Sequence, residues 1–115
     1  MPITNAGKNI ALDDLGASAT HVALFNGDPS GAGTEISGGS YARQSVTWNT
    51  ASAGNLDSSN TPTFTVPAGA TVNFIAVYDA LTGGNLLAYR AITAETFATE
   101  GSLVVNDLDI NLTDS

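Results

Sequence analysis

Thr71-Val72-Asn73-Phe74-Ile75-Ala76-Val77-Tyr78-Asp79 is the run on which the fold turns. Its residue types suit a pleated, part-buried surface. Val72, Phe74, Ala76 and Tyr78 alternate against Asn73, Ile75, Val77 and Asp79, which is the period of a strand. Both sets hold apolar residues, so the run is predicted to be a central strand with two covered faces. Thr82-Gly83-Gly84-Asn85 then reads as a hairpin turn, and Leu86 to Ile92 as the strand that pairs back.

Moving toward the N-terminus, Thr63-Phe64-Thr65-Val66 alternates and stops at the turn Pro67-Ala68-Gly69. Gln44 to Trp48 alternates with Val46 and Trp48 on one face. His21 to Phe25 is a short apolar strand that ends at four turn formers, Asn26-Gly27-Asp28-Pro29. Ser30 to Ser40, with four glycines, and Thr50 to Asn60 read as loops. Toward the C-terminus, Leu103-Val104-Val105 and Leu108 to Leu112 supply the last strands. The one helix expected is Asn5 to Leu15, capped by Thr4 or Asn5 and ended by Gly16. Ala11, Leu12 and Leu15 share a face there, with Ile10 off it. The expected fold is all-β: an antiparallel β-sandwich of six to eight short strands with a short N-terminal helix. It is read as one domain over residues 1–115, with 1–16 as the helical segment.

Composition narrows function. Three Lys and Arg stand against 11 Asp and Glu, a net charge of −8. Phosphate backbones demand clusters of Lys and Arg, and anionic membranes demand the same, so neither nucleic acid nor membrane is an expected partner. Acidity favours solubility and a partner with a basic patch. With no cysteine, disulfides and thiolate metal sites are excluded.

The search for chemistry gives no catalytic residue, metal ligand or cofactor. The single histidine, His21, heads a strand, where a hydrogen-bonded structural role is the rule. No Gly-x-Ser-x-Gly elbow presents a nucleophile. Asp13-Asp14, Asp107 with Asp109, and Glu95 with Glu100 are paired carboxylates. Glycoside hydrolysis needs two facing each other across a cleft, whereas Asp107 and Asp109 share one strand face as a solvated edge. Oxygen ligands near Asp28, Glu35 and Asp57 form no EF-hand loop. The glycines of Ser30 to Ser40 are followed by no Gly-Lys-Ser/Thr, which a phosphate cradle requires.

Rare residues cluster in Gly38-Gly39-Ser40-Tyr41-Ala42-Arg43-Gln44-Ser45-Val46-Thr47-Trp48, which holds the only Trp and one of two Arg. Arg43 and Arg90 are each expected to pair with a carboxylate, with Asp79 a candidate, or else to reach another molecule. Tyr41 lies on the Arg43 face by parity and would cover the guanidinium stem. Arg43, Trp48, Asp79 and Arg90 are therefore the candidate structural residues.

The order of motifs resembles small structural proteins of tailed-phage virions, of the head-decoration, minor-capsid or tail-fibre kind. The matching pieces are Asn5-Ala6-Gly7 through Leu15-Gly16, Thr20-His21-Val22-Ala23-Leu24, the loop Asp28 to Gly33, Gly38 to Trp48, and Phe64 to Gly69. The resemblance brings no catalytic residues and implies a non-enzymatic virion protein, made in the host cytoplasm. Its first implied role is a capsid decoration (minor capsid) protein. That protein would dock on the major capsid protein at the outer surface of the head and stabilise the shell by mass action, as a trimer or dimer. The contacts would come from residues 2–15 and the loop Asp28 to Gly39, with Ile3, Asn5, Lys8, Asp28, Glu35 and Tyr41 as candidates. The alternative is a tail-fibre or minor tail protein in host attachment, expected to be trimeric or to hold a sugar against exposed aromatics.

Overall fold

The computed structural model describes residues 1–106 and 108–112. They form a helix, α1 (Asn5–Ser18), and nine strands: β1 (His21–Asn26), β2 (Thr34–Glu35), β3 (Gln44–Ser45), β4 (Asn55–Asp57), β5 (Thr63–Val66), β6 (Thr71–Tyr78), β7 (Leu86–Thr96), β8 (Gly101–Val104) and β9 (Asp109–Asn111). Every pairing is antiparallel. The fold is all-β and sandwich-like, with one short N-terminal helix.

β6 is central as its two-faced pattern requires. The main sheet runs β2-β1-β6-β7, and β3 also pairs with β1. Val22, Leu24, Ile75 and Val77 point into the main core, where Phe64, Val66, Leu103 and Val105 meet them from the second layer. Ala23, Phe25 and Ala76 form a smaller cluster on the opposite face, with Phe74, Tyr78 and Leu86 beside them. Strict alternation puts Val72 on the Phe74 face, yet Val72 is buried in the main core with Ile75 and Val77. The ladder to β7 shifts register between Val72 and Phe74, and such an irregularity breaks the period of two.

The second layer is a ribbon. β4 pairs with β9 and β5 with β8. Between Asp57↔Asp109 and Thr63↔Val104, five residues pass on one side and four on the other. Bonds from Ser58 N–H to Leu108 O (2.9 Å) and Val105 N–H to Pro62 O (2.8 Å) carry the pairing across this gap. Both layers meet in the segment predicted as one strand from Gln44 to Trp48. Only Gln44–Ser45 pairs with β1. Beyond it, residues 47–49 turn to the ribbon: Thr47 O accepts from Ser59 N–H (2.8 Å), Trp48 bridges Ser58, and Asn49 N–H donates to Asp57 O (2.9 Å). The segment is thus a corner shared by both layers. Two predicted loops also carry strands, β2 within Ser30 to Ser40 and β4 within Thr50 to Asn60.

α1 begins where expected: the Thr4 hydroxyl accepts from Gly7 N–H at 3.2 Å. It does not stop at Gly16. It continues to Ser18, and Ala19 N–H closes it on Leu15 O at 2.8 Å. Gly16 lies inside the helix, facing Leu56 and Trp48. A β-carbon on it would lie 3.4 Å from both Leu56 Cδ2 and Trp48 Cδ1. Leu12 and Leu15 pack on Ala51, Leu56, Ile110 and Leu112 in a core of their own, while Ala11, expected on that face, is exposed. Asn9 and Asp13 accept from Gly54 N–H (2.9 Å) and Ala51 N–H (2.8 Å), fixing the turn before β4 to the helix.

Candidate functional site

The Gly38–Trp48 run organises the charged centre of the molecule. β2 holds Glu35 opposite Phe25, and the turn at Gly38 and Gly39, both with positive φ (99° and 57°), brings the chain back toward it. Glu35 then takes Arg43 in a two-pronged grip: Nε to Oε2 and Nη2 to Oε1, each at 2.9 Å. Arg43 Nη1 donates to Ala80 O (3.1 Å) and Gly83 O (2.8 Å) at the β6–β7 hairpin. The guanidinium carbon stands 3.9 Å over the Tyr78 ring. The Arg43 side chain is 7% exposed and that of Glu35 28%. Hydrogen bonding to Glu35 raises the Arg43 pKa above its already high ordinary value.

Tyr41 fills a gap in the sheet edge. β1 pairs with β3 at His21 and Val22 and with β2 at Phe25 and Asn26. Leu24 N–H, between them, donates to the Tyr41 hydroxyl at 3.0 Å, and that hydroxyl donates to Glu35 Oε2 at 2.8 Å. The Tyr41 ring lies nearly parallel to Phe64, 6.1 Å between centroids. Burial pushes the Tyr41 phenol pKa up, so it stays a neutral donor. Two expectations are corrected here. The carboxylate partner of Arg43 is Glu35 and not Asp79, and the ring over its guanidinium is Tyr78 and not Tyr41. Tyr41 precedes β3, so strand parity does not govern it.

Asp79 serves the hairpin. It accepts from Asn85 N–H (2.7 Å) and Asn85 Nδ2 (3.0 Å), and these bonds hold its pKa below the ordinary carboxylate value. Arg90 pairs with Asp109 across the layers at 3.5 Å, again not with Asp79. Asp107 lies outside the described residues. Trp48 stands between the two larger cores and touches both, with Nε1–H bonded to Ala19 O at 2.8 Å. His21 Nδ1 lies 2.9 Å from Thr20 Oγ1 at the head of β1.

The candidate contact residues fall in three places. Ile3, Asn5 and Lys8 lie on α1 and the residues before it, at one end of the fold; Ile3 and Ile10 are 48% and 74% exposed. Asp28 lies on the β1–β2 turn, its pKa lowered by bonds from Ser30 Oγ and N–H. Glu35 and Tyr41 belong to the Arg43 centre, beside an open depression of about 380 Å³ bounded by Ile36, Ser37, Leu81 and Thr82. A more polar cleft of about 460 Å³ runs along the ribbon past Asp57, Asn60, Asn106 and Asp109. Among the described residues no three of His, Asp or Glu gather as a metal-binding group, and no helix is long and apolar enough to cross a membrane.

Such a centre joins strands, a turn and a hairpin, and it leaves the guanidinium enclosed. That is the arrangement of a structural module. The chain belongs to the family described as Podophage GP4 fiber I protein gp80, which matches residues 15–113, and it is therefore a small structural protein of a tailed-phage virion. The comparison with curated proteins gives no match.

Proposed function

We propose that the protein is a non-enzymatic component of a podophage fibre. The family match over residues 15–113 carries this reading, because the family is described by its fiber protein. Head decoration, the first role implied by motif resemblance, gives way to the tail-fibre alternative on that ground. The partners are then further copies of the chain and neighbouring fibre or tail components, in place of the major capsid protein. The N-terminal end, with Ile3, Asn5, Lys8 and the exposed Ile10, is the surface best suited to that contact. Its apolar groups face outward on a helix already anchored by its other side. Gold-labelled antibody against the protein should decorate the fibres of purified virions. Label confined to the head shell would return the protein to a decoration role.

A further inference from the structure

Asn26-Gly27, at the end of β1, is the only Asn-Gly pair in the chain. In such a pair the glycine nitrogen has no side chain beside it to shield it from the asparagine amide. The fold leaves no choice of residue at 27. Its φ is 94°, and a β-carbon there would lie 2.9 Å from Gly33 Cα. Asn26 is exposed, so water reaches it. Next to this pair stands Asn73, a lone amide within β6. The β1–β6 ladder stops one step short of it, at Phe25↔Phe74, and the β6–β7 ladder shifts register between Val72 and Phe74. Asn73 thus has no register partner on either neighbour, and its side chain serves the β1–β2 turn instead. Oδ1 accepts from Gly27 N–H at 2.6 Å, and Nδ2 donates to Asn26 Oδ1 at 3.4 Å.

We propose that Asn26 is a site of spontaneous deamidation and that Asn73 sets its rate. In this reaction Gly27 N gives up its proton to hydroxide and bonds to Asn26 Cγ. The Cγ–Nδ2 bond breaks, and Nδ2 leaves as ammonia with a proton from water. A second water opens the five-membered imide at either carbonyl, giving aspartate or isoaspartate. Attack within one molecule needs the reacting atoms about 3–3.5 Å apart and aligned. Asn73 opposes this twice: Oδ1 covers the proton that must be removed, and Nδ2 holds the Asn26 amide by its oxygen. β1 adds a third restraint, since Asn26 is still paired with Thr34. The clamp has to open locally before the imide can form.

The product matters because of where it falls. Isoaspartate routes the main chain through the former side chain and so lengthens the backbone at the end of β1. There Phe25↔Glu35 and Asn26↔Thr34 set the register of β2, and Glu35 is the partner of Arg43. A change at one exposed amide therefore reaches the charged centre. Either product also adds a carboxylate two residues from Asp28, on a chain of net charge −8. The inference goes beyond the fibre reading and is independent of where in the virion the protein lies.

Mass spectrometry of the full chain, held at physiological pH and temperature, tests it by following amide-to-acid conversion at position 26. The native protein should convert at least tenfold more slowly than the same chain unfolded in guanidinium chloride. Asn73→Ala should bring the folded protein to within about threefold of the unfolded rate. Asn73→Val, which suits a strand and also lacks the amide, should do the same. Leu12→Ala weakens the other core without touching the turn, and should leave the rate within about twofold of native. Three results overturn the proposal: native protein that converts as fast as the unfolded chain, Asn73 variants that fold and convert no faster than native, or Leu12→Ala accelerating conversion as much as they do. The last would mean that global unfolding, and not the Asn73 clamp, sets the rate.

Discussion

Arg43 shows how one residue can fasten three pieces of chain. Its bonds reach β2 through Glu35 and the β6–β7 hairpin through two carbonyls, while its plane covers Tyr78. Removing the guanidinium strands a part-buried Glu35 and two hairpin carbonyls. Breaking a fully buried pair costs roughly 3–5 kcal/mol; with Glu35 28% exposed, Arg43→Ala should cost about 2–3 kcal/mol. Arg43→Lys keeps the charge without the planar fork and should recover less than half of the loss. Urea unfolding at neutral pH measures both. An Arg43→Ala protein with an unshifted midpoint would mean that the network holds nothing. The sequence announces that Arg43 is enclosed, since a rare cation beside Tyr and Trp is unlike a solvated one. It does not announce the partner. Glu35 lies eight positions away across two glycines, and only their positive φ values turn the chain back toward it.

At the scale of elements, the strands with alternation or an unbroken apolar run were legible: β1, β5, β6 and the β6–β7 hairpin follow from pattern and turn residues alone. β2 and β4 were not, because two or three residues among glycine, serine and asparagine carry no period. Their strand character comes from neighbours already in place. The helix shows another limit. Gly16 reads as a stop signal, yet the helix continues through it to Ser18 and is closed by Ala19 N–H on Leu15 O. A glycine in a helix interior costs about 1 kcal/mol relative to alanine, and a β-carbon here meets its neighbours at ordinary contact distance. Gly16→Ala should therefore stabilise the protein by about 0.5–1 kcal/mol in chemical denaturation. Destabilisation instead would mean that Leu56 and Trp48 cannot accommodate even a methyl group.

The whole molecule is two packed regions in series. The sandwich core lies between the main sheet and β5–β8; the second core lies between α1 and β4–β9. Trp48 is shared by both and bonded to Ala19 between them. Its place as a joint could not be read from the sequence, where it is simply the last apolar residue of an alternating run. Large-to-small changes of buried aromatics cost about 3–5 kcal/mol. Trp48→Ala should do more than lower stability: calorimetry should show the single unfolding transition of the native chain broaden or split, with the α1 end melting first. One sharp transition at lower temperature would mean that the ribbon alone couples the two regions.

The ribbon has a mechanical meaning. Its two strand pairs, β4–β9 beside the helix and β5–β8 in the sandwich, are linked by the backbone bonds Ser58 N–H to Leu108 O and Val105 N–H to Pro62 O. Tension applied between the two ends of the molecule pulls along these strands. Their cross-bonds are then loaded together in shear, not opened one after another like a zipper. A fibre subunit anchored at one end and tugged at the other would carry the load through this ribbon, leaving the loops slack.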